Sequence, residues 1–84
     1  MNLNTGPDLE PDDLGINGQI ILTLLEDYGK RIYQQLKAEN ILIRQIKAWE
    51  DEYNEAMSKL ILSGFNQSEA REIAWPEITA KFGM

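Results

Sequence analysis

Length, composition and charge exclude several classes of protein before any motif is considered. The chain has 84 residues, no cysteine and no histidine, and 14 acidic against 8 basic residues give a formal net charge of −6. A chain of this size forms one domain whose core yields about 3–5 kcal/mol of net stability, so we expect help from another chain. Without cysteine and histidine, disulfides, the usual nucleophile–base pairs and the common zinc sites are excluded.

The distribution of charge and hydropathy predicts a cytoplasmic protein. No run of 18 apolar residues is present, and residues 1–16 carry acids where a signal peptide needs a basic start and an apolar stretch. An acidic chain without a basic face is a poor ligand for phosphate backbones and for anionic membrane surfaces. We therefore expect protein partners, no direct binding of nucleic acid, no membrane binding and no cofactor.

Residues 1–17 are predicted to form an irregular acidic arm ahead of one helical domain, residues 18–84. The arm holds two prolines, two glycines and four acidic residues with no basic one, a composition typical of turns. It has too little apolar surface to fold on its own, so the first interpretation is a solvated, flexible tail. The alternative is an arm whose leucines dock on the helix or on a partner.

Residues 19–62 carry the strongest pattern in the chain. These 44 residues contain no proline and a single glycine, Gly29, and steps of four and three from Ile21 find apolar side chains at ten of twelve positions. That spacing belongs to one face of a helix. We predict an all-α fold with a long amphipathic helix over about residues 18–63, capped by Asn17, with Ile16 packing on Ile21.

The continuity of this helix is open at residues 38–41. Asn40 could end one helix and begin the next. This would give a hairpin in which two residues lie side by side when their residue numbers add up to about 80. The segment has no glycine, proline or serine, however, and the stripe keeps its phase across it, so one continuous helix is favoured. Gly29 inside the pattern marks a bend or a close approach by another backbone.

A short return helix is predicted over about residues 67–82. Gly64 can adopt the left-handed conformation that ends a helix, Asn66 can cap the next one, and Glu69 completes a capping box. Pro76 removes an internal hydrogen bond, so a kink or break is expected there.

The long helix would be too long for the return helix to cover. At 1.5 Å per residue it spans about 66 Å, and the return helix would reach only from about Trp49 onward, where Phe82 would meet it. Trp75 lies just off the apolar face of the return helix, and large aromatic residues of this kind are enriched at interfaces. The predicted partner contacts are Ile21, Leu25, Tyr28, Ile32, Leu36, Leu42, Ile46 and Trp75.

These patterns predict a non-enzymatic protein–protein interaction module, or a small subunit, that binds a second copy or a larger protein through an apolar helix face. The alternative is a small acidic inhibitor, such as a phage-type antagonist or a nucleic-acid mimic, which occupies a basic groove of a host protein. Its candidate acidic contacts are Asp8, Glu10, Asp12, Asp13, Glu50, Asp51, Glu52 and Glu55.

A third hypothesis rests on spaced carboxylates. The pattern Asp51-Glu52-x-x-Glu55 followed by Glu69-x-x-Glu72 resembles the paired acidic motifs of all-α nucleotide pyrophosphatases. The resemblance implies a magnesium-dependent hydrolase with four carboxylates on facing helices. The turn between the two helices places these acids at different levels, whereas a carboxylate site needs convergent ligands, so we assign no catalytic or metal residues.

Overall fold

The computed structural model describes residues 8–82, which are all-helical as predicted. A single 3-10 turn, Pro11–Asp13, precedes four α-helices. The helices are α1 (Ile16–Tyr28), α2 (Lys30–Ala38), α3 (Leu42–Leu62) and α4 (Gln67–Ala80). The described chain measures 47 × 26 × 19 Å. The first seven residues of the predicted arm lie outside the described residues.

Helix α3 is the central element, and the other four elements all pack against it. Its start meets the end of α1 and α2, and its second half meets α4. Ile46 and Tyr53 of α3 are fully buried together with Ile21 and Leu25 of α1. The whole core cluster consists of Leu14, Ile21, Leu25, Leu42, Ile43, Ile46, Trp49, Tyr53, Ala74, Ile78 and Phe82.

The prediction of one continuous helix is wrong, because the segment divides into three helices. The first division is at Gly29, whose φ and ψ of −115° and 43° leave the helical region. A Cβ atom at this position would lie 2.9 Å from Leu25 Cδ2. The expected bend is therefore present at Gly29, whereas the group that approaches it closely is the Leu25 side chain of α1 and not another backbone.

The second division is at Asn40, which has a φ of 60°. Asn40 N–H donates to Lys37 O at 3.1 Å, and Ile41 N–H donates to Leu36 O at 3.0 Å. This is the Schellman pattern of a helix end. The segment contains no glycine, but the helix still ends here, because asparagine also adopts the left-handed conformation readily.

The two divisions allow α1 to fold back along α3 in the antiparallel direction. Asn17, near the start of α1, hydrogen-bonds Asn54 in the second half of α3 at 3.0 Å. Gly15 and Gly18 both hydrogen-bond the side chain of Glu50. The two residue numbers in each of these pairs add up to 65–71, and not to about 80 as expected for a hairpin at Asn40. The difference arises because the segment between α1 and α3 includes α2 as well as the turn.

The start of α4 agrees with the prediction. Gly64 has a φ of +104°, Glu69 N–H donates to Asn66 Oδ1 at 2.9 Å, and Asn66 N–H donates to Glu69 Oε1 at 3.1 Å. Of the kink or break expected at Pro76, the break is wrong, since α4 continues through this residue to Ala80. The predicted contact of Phe82 with Trp49 is present, with ring centroids 4.8 Å apart.

Candidate interaction surface

Helix α1 is apolar on two faces, and only one of them is used by the fold. The inner face places Ile21 and Leu25 in the core with no exposed area. A second series of apolar side chains recurs at intervals of four residues and forms a ridge along the other side of the helix. We call this ridge the outer face; it consists of Ile16, Ile20, Leu24 and Tyr28.

The outer face is exposed and free of charge over most of its length. Ile16 is 81% exposed and Tyr28 is 75% exposed, while Ile20 is 37% exposed and Leu24 is half-buried. No charged residue occurs between Gly15 and Leu25. A surface helix normally presents a polar face to water, so an apolar ridge in this position is a candidate interaction surface.

Trp75 of α4 extends the outer face. A shallow cavity of about 360 Å³ is lined by Ile20, Leu24, Arg71 and Trp75, so the indole lies beside the middle of the ridge. The Trp75 ring also meets the buried Tyr53 ring edge-on, with centroids 5.4 Å apart and an interplanar angle of 85°. That contact holds the indole in one orientation, which suits an interface anchor.

A chain of polar side chains fixes α1 and α4 relative to each other at one end of the outer face. Arg71 Nε donates to Tyr53 Oη at 3.2 Å, and an Arg71 terminal nitrogen donates to Asn17 Oδ1 at 3.4 Å. Asn17 in turn donates to Asn54. These residues border a polar groove of about 620 Å³ between α1, α3 and α4. Arg71 therefore lies at the junction of the groove and the ridge.

The position of α1 depends on a carboxylate from α3. Glu50 is only 3% exposed, and its Oε1 and Oε2 accept hydrogen bonds from Gly15 N–H at 2.9 Å and from Gly18 N–H at 2.6 Å. These are free amides of the first turn of α1, where a helix has partial positive charge. The predicted cap was Asn17, with a start at residue 18 or 19. The helix instead begins at Ile16, with Gly15 as its N-cap residue.

The two glycines allow this close approach. A Cβ atom on Gly15 would lie 2.7 Å from Glu50 Oε2. A Cβ atom on Gly18 would lie 2.9 Å from Leu14 Cβ and 3.0 Å from Glu50 Oε1. Side chains at either position would therefore displace the carboxylate. The expected packing of Ile16 on Ile21 is also wrong, since Ile16 is exposed on the outer face while Ile21 is buried on the inner one.

The predicted partner contacts divide into three groups. The expectation that the stripe lacks a partner within the chain is overturned, because four of its residues lie in the core: Ile21, Leu25, Leu42 and Ile46. Ile32 and Leu36 of α2 are half-buried against that core. Tyr28 and Trp75 lie on or beside the outer face. The residues missed by sequence reasoning are Ile16, Ile20 and Leu24, although their four-residue spacing is visible in the chain.

The predicted acidic contacts are mostly engaged within the molecule. Asp8 accepts hydrogen bonds from Ile43 N–H at 2.7 Å and from Arg44 N–H at 2.9 Å, so it caps the start of α3. Leu14 is buried and Leu9 packs against the core, which shows that the arm docks from Asp8 onward rather than forming a free tail. Asp13 accepts from Glu10 N–H, and Asp12 is exposed.

The acids of α3 also have internal partners. Glu50 caps α1 and is buried, which corrects its assignment as a surface contact. The other three form ion pairs with lysines: Asp51 with Lys47 at 3.6 Å, Glu55 with Lys59 at 3.1 Å, and Glu52 with Lys81, which directly follows α4. Among residues 8–82, no group of three or more acidic side chains is arranged to hold a metal ion.

Within the described range, every helix is too short or too polar to cross a membrane. Comparison with protein-family models, with curated proteins and with solved structures finds no significant match.

Proposed function

We propose that this chain is a non-enzymatic protein-interaction module that binds a protein partner through the outer face of α1 and Trp75. The observation that most supports this proposal is that α1 has two apolar faces. Its inner face already fills the core, yet the ridge of Ile16, Ile20, Leu24 and Tyr28 is also apolar, and all of it except the half-buried Leu24 is exposed. Burial of such surface is the main driving force for association.

The proposed surface has the make-up of an interface core with a polar rim. The ridge itself is apolar and aromatic and carries no charged side chain, while Arg71 lines the cavity beside Ile20, Leu24 and Trp75, and Asn17 borders the polar groove. Interface centres are depleted in charge and enriched in aromatic residues and arginine. The ridge is about 20 Å long on a helix of this length, so the contact extends onto α4 to reach the standard size of about 800 Å² per partner.

The acidic-inhibitor hypothesis takes second place. It requires acids that are available to a basic groove, and of its eight candidates Glu50 and Asp8 cap helices while Asp51, Glu52 and Glu55 pair with lysines. It predicts binding that weakens steeply with salt, whereas binding through the outer face depends little on salt. The hydrolase hypothesis is weaker still, because Glu69 is also engaged, as the capping-box residue of Asn66.

Site-specific photo-crosslinking tests the proposal. A photoreactive amino acid at position 20 should form a discrete protein adduct in cells or lysate of the source organism, and unlabelled wild-type chain should compete for it. The matched control has the same group at position 62, since Leu62 is an exposed apolar residue on α3 away from the outer face. Loss of the adduct on Leu24→Asp would support the assigned surface. An equal adduct at both positions would reject it.

A further inference from the structure

The register of the outer face identifies a partner of particular chemistry. Its apolar residues are Ile16, Ile20, Leu24 and Tyr28, which are equally spaced and therefore symmetric about a midpoint at residue 22. If a second ridge of the same kind runs antiparallel, Ile16 meets Tyr28 and Ile20 meets Leu24, in both directions. The two most exposed side chains of the ridge then cover each other.

From this register and from the charges beside it, we infer that the partner is a second copy of this chain, with α1 packed antiparallel on α1 about a two-fold axis near residue 22. The inference rests on the proposed function and names the partner of the same surface. A two-fold interface is self-complementary, since each contact occurs twice. A symmetric ridge meets this requirement without any change in the fold.

The charges at the two ends of α1 favour the antiparallel arrangement. The C-terminal end carries Glu26 and Asp27, the first charged residues after the uncharged stretch. The N-terminal end lies beside Arg71, whose guanidinium bonds Asn17 and Tyr53. These two bonds use two of its five N–H donors. An antiparallel second copy brings Glu26 and Asp27 of each α1, which precede Lys30 and Arg31 of α2, toward the arginine of the other, whereas a parallel copy would bring these acids toward each other.

Trp75 adds to the same contact. It lines the cavity next to Ile20 and Leu24, which lie on either side of the proposed two-fold axis. The indole of each copy therefore faces the middle of the partner ridge. Aromatic residues at the centre of an interface contribute most of its binding energy, so Trp75 would act as an anchor for both copies.

Sedimentation equilibrium of the full chain tests the dimer. We expect a reversible dimer at micromolar concentration, and Ile20→Asp should raise its dissociation constant at least about tenfold, because it places a charge at the centre of the interface. Leu62→Asp makes the same change at an exposed site off the outer face and should leave the dissociation constant unchanged. A wild-type chain that stays monomeric up to on the order of 1 mM overturns the inference.

Cysteine crosslinking tests the register, because the natural chain has no cysteine. Full chains carrying Ile16→Cys and Tyr28→Cys, mixed and oxidised gently, should form the mixed disulfide. Either variant alone should not, since equivalent residues would lie about 18 Å apart along the helices, beyond disulfide reach. Efficient crosslinking of Ile16→Cys with itself would indicate parallel pairing and overturn the inference.

The charge arrangement is tested by reversal and rescue. Arg71→Glu and Asp27→Arg should each weaken the dimer several-fold, and the double variant should recover at least part of the loss, as expected for two sites that meet across an interface. Circular dichroism of each variant separates a folding defect from an interface defect. A double variant that only adds the two losses contradicts the antiparallel arrangement.

Failure of the dimer and failure of the proposed function are distinguishable. A monomer whose position 20 still crosslinks specifically to a different protein, with competition by the unlabelled chain, rejects the second copy and keeps the interaction surface. A monomer without any specific adduct at position 20 rejects both.

Discussion

The starts of α1 and α4 are capped by side chains that lie at very different distances along the sequence. At α4, Asn66 and Glu69 are three residues apart and satisfy each other's backbone amides. At α1, the acceptor is Glu50, which is 32 residues from Gly18 and 35 from Gly15. A local cap stabilises only the helix start to which it belongs. A distant cap also ties two helices together, so its loss changes the tertiary structure.

The start of α3 belongs to the second type. Its N-cap residue, Ile41, has no side chain that can accept a hydrogen bond, and Asp8 from the arm supplies the acceptor. The arm is thus both the cap of α3 and a cover for part of the core, through Leu14. Two of the eight acids that would suggest an anionic binding surface, Asp8 and Glu50, cap α-helices instead.

The largest expected effect comes from breaking the distant cap of α1. Glu50→Gln keeps the volume but leaves one acceptor oxygen for two N–H donors, so we expect the free energy of unfolding to fall by about 2 kcal/mol. Urea unfolding followed by circular dichroism measures this. The control is Glu55→Gln, which removes an exposed ion pair with Lys59 worth at most about 0.5 kcal/mol. Equal effects of the two variants would contradict a capping role for Glu50.

A smaller loss is expected when the approach of the carboxylate is blocked. Gly18→Ala would place its Cβ 2.9 Å from Leu14 Cβ, so we expect a loss of about 1–2 kcal/mol although alanine is the better helix former. The sign of the change in urea unfolding is the readout. The same substitution in a Glu50→Ala background should cost less, since one of the crowded groups is gone. Stabilisation by Gly18→Ala in the wild-type background would contradict the close packing.

The cap of α3 is less buried, so its removal should have a more moderate effect. Asp8→Ala removes two hydrogen bonds at the helix start and should cost about 1 kcal/mol. Because the arm is released as well, amide exchange at Ile43 and Arg44 and in the arm should rise together. Asp12→Ala, an exposed site in the same arm, is the matched control and should leave both unchanged.

The local cap of α4 should give the smallest and most confined effect. Asn66→Ala should cost about 0.5–1 kcal/mol at this exposed helix end and increase amide exchange in the first turn of α4 only. Gln67→Ala at the next position is the control. If exchange also rose at the start of α1, then the distinction between local and distant caps would be lost.

Local patterns in the chain predicted a large part of this structure. The three-and-four spacing identified Ile21, Leu25 and Ile46 as members of one apolar stripe, and all three are buried. Gly64, Asn66 and Glu69 located the start of α4, because their hydrogen bonds close within a few residues. Those predictions needed only the helical period and the chemistry of turns.

Local patterns could not predict the direction that the chain takes after Gly29 and after Asn40. The periodicity passes unchanged through Gly29 and Asn40, so it could not distinguish one long helix from three short ones. That choice depends on the free energy gained when α1 packs against α3, which is a property of the folded molecule. For the same reason, four residues that were expected to contact a partner, Ile21, Leu25, Leu42 and Ile46, are buried within the chain itself.

What the sequence determined by itself is helical content, the residues of the core stripe and the cap of α4, because each follows from interactions within a few residues. The tertiary structure alone decided that Glu50 and Asp8 serve as caps and that α1 turns its second apolar ridge outward. Both features depend on which helices pack together across 30 or more residues of chain. Because the hydrophobic effect is non-directional, it favours this arrangement only when the whole core forms.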